Sequence, residues 1–249
     1  MEHLFQIERG WDENNPRRGR YFNSFTSDLA QEALENSAHM YKKVDGSCGI
    51  VSYDVAADEL SLYQRIDTRG RDPSSTLVPL PVGKNPVNYK SKEHAHSYFM
   101  EKIVVSEGDG KKAKKNKRAL LDVLERNKDA LVDLILSRAS SDGDDSSPLF
   151  LSVELVGTKF NQTPGVDAPV ALAPHCLQRL SADDFPYLPQ SLPRTFDELK
   201  LALVDSDNVA EGIVVEHKGN FWKVHSKLLE PTCTFATDKS KASPPVFFE

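Results

Sequence analysis

Lys43 and Asp45, in the stretch YKKVDGSCGIV (Tyr41 to Val51), place an amine and a carboxylate two residues apart just ahead of an apolar run. Two readings are open. A solvated turn feeding a β-strand accounts for the stretch, because Asp45-Gly46 is a turn dipeptide and Cys48 to Val51 can begin a strand. In the other reading Lys43 is a nucleophile. A free lysine has a pKa of about 10.4, so roughly one molecule in a thousand is neutral near pH 7.4. Activating it means lowering that pKa by about 3 units, or ~4 kcal/mol, through nearby cations and desolvation. The rest of the chain must supply those groups.

Composition narrows where they are found. The 249 residues accommodate one large domain or two small ones. With 31 basic and 37 acidic residues the net charge is -6, so any phosphate-binding surface is local rather than spread over the molecule. Cys48, Cys176 and Cys233 lie far apart and form no CxxC pair, which argues against a zinc site or a disulfide framework and fits a reducing intracellular compartment, cytoplasmic or nuclear. The N-terminus lacks the basic-then-apolar order of a signal peptide, and no window approaches ~18 uninterrupted apolar residues, so a soluble protein with no membrane association is expected.

The positioning elements are mostly strands. CGIVSYDV (48–55) and LSLYQRID (60–67), separated by AADE, predict an antiparallel hairpin; EGIVVEH and FWKVHS, joined by Lys218-Gly219-Asn220, predict another. LFLSVELVGTKF (149–160) and VALAPH (170–175) read as β-runs, 97–105 as a strand or a short helix, and 69–88 as a Pro- and Gly-rich loop. FDELKLALVD (196–205) reads as a helix. A longer one is predicted over Arg118 to Arg138, with Leu120, Leu124, Leu131, Leu134 and Ile135 on one face. GDGKKAKKNKR before that helix and SSDGDDSSP after it mark 108–148 as an inserted basic loop plus helix within a single domain over 1–249. The class is α+β with mostly antiparallel sheet.

Charges embedded in such strands are costly unless paired or facing a cleft. Lys43 and Asp45 precede the first hairpin, Arg65 lies in its second strand, Glu154 lies within an apolar run, Glu211 opens EGIVV and Lys223 sits inside FWKVHS. Three bases and three acids so placed suggest a polar groove. Singly, Glu154 and Glu211 read equally well as strand-end carboxylates, and Lys223 as a snorkelling edge lysine.

In this order the residues resemble the covalent nucleotidyltransferases, the superfamily of ATP-dependent DNA and RNA ligases and mRNA capping enzymes. KVDG looks like their KxDG element, and ELVG, EGIVV and FWKVHS follow like the later motifs, with an arginine 22 residues after the lysine. KVDGSC, LYQRID, ELVGTKFN, the strand ending in PH, EGIVV and KVH are most similar to eukaryotic 5′-to-3′ RNA ligases, over Tyr41 to Leu228. The first forty residues and the basic insertion match less clearly.

The resemblance implies an antiparallel-sheet nucleotidyltransferase domain, an ATP-grasp-like ligase adenylation domain. It implies ATP with Mg²⁺ or Mn²⁺, and RNA carrying 5′-phosphate and 3′-hydroxyl ends. Lys43 would attack the α-phosphate, AMP would pass to the RNA 5′-phosphate, and the 3′-hydroxyl would displace it. Lys42, Arg65 and Lys223 would be the cations near Lys43. Asp45 would hold the loop, Glu154 the ribose hydroxyls, and Arg65 the AMP phosphate or the RNA end. Glu211 would organise the metal through water, since Mg²⁺ takes few carboxylates. Lys223 would grip the α-phosphate, and Val214 would pack on the adenine. His225 stands where many relatives carry a second lysine, which would make activity more sensitive to pH. His175 reads as structural or base-adjacent, and Trp11 and Trp222 as core or lid residues.

A DNA ligase or capping-type nucleotidyltransferase would use the same lysine. Those enzymes commonly add an OB-fold, however, and the 26 residues after Lys223 are too few for a C-terminal one. A non-catalytic RNA-binding module of the same type would be expected to have lost the nucleophile. The run KKAKKNKR (111–118) reads either as a solvated flexible joint or as an RNA-backbone contact; no aromatic residue interrupts it, so base stacking is not expected there.

Overall fold

The computed structural model describes residues 2–9, 19–36, 39–65, 100–138, 149–160, 166–185, 188, 191–204, 211–218, 220–229 and 245–249. In chain order the strands are β1 (Glu2–His3), β2 (Phe5–Arg9), β3 (Gly19–Phe25), β4 (His39–Lys42), β5 (Ser47–Asp54), β6 (Glu59–Arg65), β7 (Met100–Lys102), β8 (Leu149–Val156), β9 (Ala171–Pro174), β10 (Arg179–Leu180), β11 (Gly212–His217) and β12 (Asn220–His225). The helices are α1 (Asp28–Asn36), α2 (Lys111–Arg126), α3 (Lys128–Arg138), α4 (Phe196–Val204) and α5 (Ser226–Leu229). The class is α+β, and among the described residues every strand pairing but one is antiparallel. None of the described helices is long and apolar enough to cross a membrane.

These residues form two compact units, the first drawn from 1–44 and 178–245, the second from 45–177 and 246–249. The chain passes from one to the other between Val44 and Asp45, inside KVDG. In the first unit a five-stranded sheet has the order β1-β12-β11-β4-β10, beside the β2-β3 pair. Side chains alternate across a strand. Met40, Ile213, Val215, Trp222 and Val224 therefore share one face and form a core with Leu34, Leu199 and Phe5. In the second unit the order is β7-β6-β5-β8-β9, and Val51, Leu62, Leu151, Val153, Leu155 and Leu172 build a core with Leu120, Val123, Leu131 and Ile135.

Both predicted hairpins form, β5 with β6 and β11 with β12, and 97–105 contains a strand rather than a helix. The long helix differs from expectation at its start and its middle. It begins at Lys111, so the basic run is its first two turns and not a flexible joint. Lysine is a good helix former, and Gly110, at φ -64° and ψ 156°, gives an extended entry. At Asn127 the backbone leaves helical geometry, and the Asn127 side-chain Nδ2 donates to the Val123 carbonyl at 2.8 Å, dividing one expected helix into α2 and α3. Leu134 is consequently only half-buried while Val123 is in the core. The 69–88 loop, the acidic stretch after Arg138, Trp11 and Cys233 lie outside the described residues.

Candidate active site

Strand register decides which candidate side chains meet. In the first unit Val214 is opposite both Tyr41 and Lys223, and Gly212 is opposite His225. The Lys43 amide donates to the Gly212 carbonyl at 2.9 Å, continuing the β4-β11 ladder by one step. Since Ile213 and Val215 face the core, alternation puts Val214, Lys223, His225 and Lys43 together on the other face. His3 joins them, because β1 pairs in parallel with β12 and sets His3 opposite Lys223. Four candidate residues of this unit, Lys43, Val214, Lys223 and His225, thus occupy the face that its core leaves open.

Lys43 and Glu211 form a close ion pair on that face, Nζ to Oε1 2.6 Å, with side chains only 19% and 24% exposed. Gly212 makes the approach possible. Its φ is +142°, and a Cβ there would lie 1.9 Å from the Val224 carbonyl oxygen, so no side chain fits between Glu211 and β12. The glycine lets β11 press on β12 at its first residue, and the Glu211 carbonyl accepts the Ser226 amide at 3.1 Å. Glu211 is thereby fixed beside both Lys43 and His225, whose Nδ1 is 3.8 Å from Oε1 and makes no hydrogen bond.

Two histidines close the cluster. The His3 and His225 rings are 5.5 Å apart, and Tyr21 links them, its oxygen accepting the His225 amide at 3.3 Å and lying 2.5 Å from His3 Nδ1. Burial, then Lys43 and Lys223, push His225 down to about 3; burial, then Lys223, push His3 down to about 4. Both rings are neutral near pH 7. The heightened pH sensitivity expected of His225 is therefore displaced to acid, because burial and two lysines oppose a third positive charge. Burial also raises the Tyr21 phenol well above its ordinary range, leaving its proton in place to donate to His3.

Lys42 is not brought to this face. It pairs with Ile213, on the core side of the strand, where burial lowers its pKa and Asp184 partly offsets the shift.

The second unit repeats the division into a core face and an open face. Leu151, Val153 and Leu155 point into the core, so Ser152 and Glu154 point away from it. Glu154 is directly opposite Cys48 on β5 and Ala173 on β9. One residue past β9, His175 donates or accepts at both ring nitrogens: Nδ1 is 2.8 Å from Ser152 Oγ, and Nε2 is 3.2 Å from Glu154 Oε2. Glu154 is 13% exposed and oriented by that imidazole. Arg65 ends β6 on the same side of its strand as Tyr63, away from Leu62 in the core, and is exposed. Asp45 is half-buried just before Gly46. Gly46 is needed for close approach, since a Cβ there would be 2.6 Å from both Glu154 Cγ and the Leu155 carbonyl oxygen. Cys48, pushed up to about 11 by burial and then by Glu154, is a protonated thiol at neutral pH and no nucleophile.

His3, Tyr21, Ser152 and His175 were not among the sequence candidates for chemistry. His175 had a readable signal, the i, i+2 spacing of Ser152 and Glu154 on a strand whose neighbour ends in His. His3 had none, because a two-residue strand carries no period. Among the described residues no group of three or more His, Cys, Asp or Glu is placed to hold a metal ion. Compared with known proteins, the chain matches no family model and no curated protein.

Proposed function

We propose that this chain is an ATP-dependent RNA ligase built on a nucleotidyltransferase-type fold, joining RNA 5′-phosphate and 3′-hydroxyl ends through a lysyl-AMP intermediate. The observation that carries the reading is the lysine of KVDG held 2.6 Å from a carboxylate, on the same strand face as Lys223 and His225. An amine among cations and neutral imidazoles, with a carboxylate within reach to take its proton, has what a nitrogen nucleophile needs.

In this reading Lys43 Nζ attacks the α-phosphorus of ATP. The N–P bond forms, the bond from that phosphorus to the bridging oxygen breaks, and the electron pair leaves with pyrophosphate. The amine proton passes to Glu211. Lys223 stabilises charge developing on the phosphoryl oxygens, the usual work of a preorganised cation. His225, neutral and with Nδ1 free of hydrogen bonds, offers the same oxygens a donor once its tautomer places the proton there. Val214, 7% exposed beside Lys223, supplies an apolar contact for the base. Glu154, Asp45 and Arg65 take the ribose, loop and RNA-end roles that the resemblance implies, and for Lys42 the resemblance is the sole support.

The donor set suits a metal held chiefly by substrate phosphates. Among the described residues Glu211 is the carboxylate beside Lys43, and Mg²⁺ commonly uses one or two carboxylates with phosphates and water. Bound there with Glu211, Mg²⁺ would neutralise triphosphate charge.

Incubation with α-labelled ATP or GTP, followed by 5′-phosphorylated RNA, tests the reading. Label should transfer from ATP to protein, then to the RNA 5′ end, and be released as AMP when a 3′-hydroxyl end is joined. Protein that labels but never passes AMP to RNA would contradict the RNA ligase assignment, and labelling by GTP alone would favour a capping-type enzyme.

A further inference from the structure

A second cationic site lies on the second unit, far in sequence from KVDG. One face of α2 carries Lys111, Lys114, Lys115, Arg118 and Arg126, spaced at i, i+3, i+4, i+7 and i+15, so that they line up along the helix. With Lys159, from the turn after β8, they line a cavity of about 720 Å³ floored by Val123, Pro169 and Val170. Asp122 and Glu249 also line it, leaving six cations against two carboxylates in a protein whose net charge is -6. Lys111, Lys115, Arg118 and Lys159 pair with no carboxylate among the described residues. Lys117, which does not line the cavity, is tied to Asp109 at 2.9 Å.

This charge sits at the wrong end of its helix. The first turn of α2 has no acidic residue and Gly110 makes no side-chain cap, so lysines crowd the positive end of the macrodipole. Such a placement is unfavourable unless an anion offsets it. From Lys111 to Arg126 the row spans about 22 Å at 1.5 Å per residue, enough for several successive phosphates. Among the described residues no aromatic side chain lines the cavity, so none of them stacks on a base there.

We infer that this face of α2, completed by Lys159, is a binding site for the phosphodiester backbone of RNA. It holds RNA by charge, without reading sequence, and is separate from the residues that take the nucleotide. The inference deepens the RNA ligase reading by placing the polynucleotide on a surface of its own.

The decisive variant replaces Lys111, Lys115, Arg118 and Lys159 by Gln. Its charge-matched control replaces Lys102, Lys112, Lys128 and Lys218, which lie outside the cavity. Binding of a fluorescein-labelled single-stranded RNA is followed by anisotropy across a salt series, and nucleotide labelling of the same proteins is measured alongside. Each RNA phosphate left without its cation lowers the slope of log K against log salt by ~0.7. The cavity variant should lose up to ~3 from that slope and bind RNA at least ~10-fold more weakly at low salt, with unchanged nucleotide labelling and a thermal midpoint no lower than wild type. The control should stay near wild type. Equal losses in both variants, or an unchanged slope in the cavity variant, would overturn the site. Wild type that binds RNA in this way but never labels with a nucleotide would instead sink the ligase reading and leave the binding face standing.

Discussion

Lys43 and Lys223 leave β-strands on the face away from a core and lie among a carboxylate and two neutral histidines, whereas Lys111, Lys115 and Arg118 leave one side of a helix into solvent. Both sets attract phosphate. The strand-borne cations work at reduced dielectric, where burial first and then the neighbouring lysines hold His3 and His225 neutral. The helix-borne cations work in water, where salt screens them within about 10 Å at 0.1 M. On the proposed reading, chemistry belongs to the first arrangement and reversible holding of a polyanion to the second.

The strand cluster depends on backbone closeness, and removing that closeness should have the largest effect. Gly212→Ala puts a Cβ into the Val224 carbonyl and forces a residue at φ +142°. A loss of at least ~3 kcal/mol in unfolding free energy is expected, read as a fall in denaturant midpoint. At Gly108, just ahead of α2, a Cβ would meet nothing within 4 Å among the described residues, and Gly108→Ala should change stability by less than ~0.5 kcal/mol. Equal effects would show that β11 and β12 are not pressed together at Glu211.

Next in size is Lys223→Ala. Loss of one preorganised cation from a phosphoryl-transfer site costs ~3 to 4 kcal/mol, or 10² to 10³ in the rate of protein labelling. That loss should change little with salt, in contrast to RNA binding through α2. Wild-type labelling rates would remove Lys223 from the chemistry.

A third effect concerns acid. His3 and His225 have folded pKa values of about 4 and about 3, below the ordinary 6.5, so the unfolded chain binds more protons than the folded one between about pH 6.5 and those values. Their contribution to stability is present above pH 6.5 and is lost as pH falls through 4 and 3. The charges that hold them down are Lys43, Lys223, Lys227, Arg9 and the N-terminus. His3→Gln combined with His225→Gln should flatten the acid limb of the stability curve by up to two protons. A limb as steep as wild type would place these titrations elsewhere.

Strands were legible where alternation runs for several residues, as in β5, β8 and β11, because burial on one face writes a period of two into the sequence. That same alternation made Lys43, Glu154, Glu211 and Lys223 conspicuous as charges inside apolar runs. The N-terminal strands were not legible. β1 is two residues long and pairs with a strand more than 200 positions away, so neither a period nor a turn announces it, and His3 and Tyr21 stayed hidden with it. The start of α2 was missed because lysine repeats signal solvent exposure and loops alike, and only the burial of Leu120, Val123 and Leu124 against the core distinguishes the two.

The central claim is that Lys43 is the nucleophile, and peptide mapping after reaction with ATP and Mg²⁺ tests it most directly. The denatured, digested protein should carry AMP on the peptide containing Lys43 through an acid-labile N–P bond. Lys43→Ala should carry none at an unchanged thermal midpoint. AMP on any other residue of the wild type, or undiminished labelling of Lys43→Ala, would contradict it.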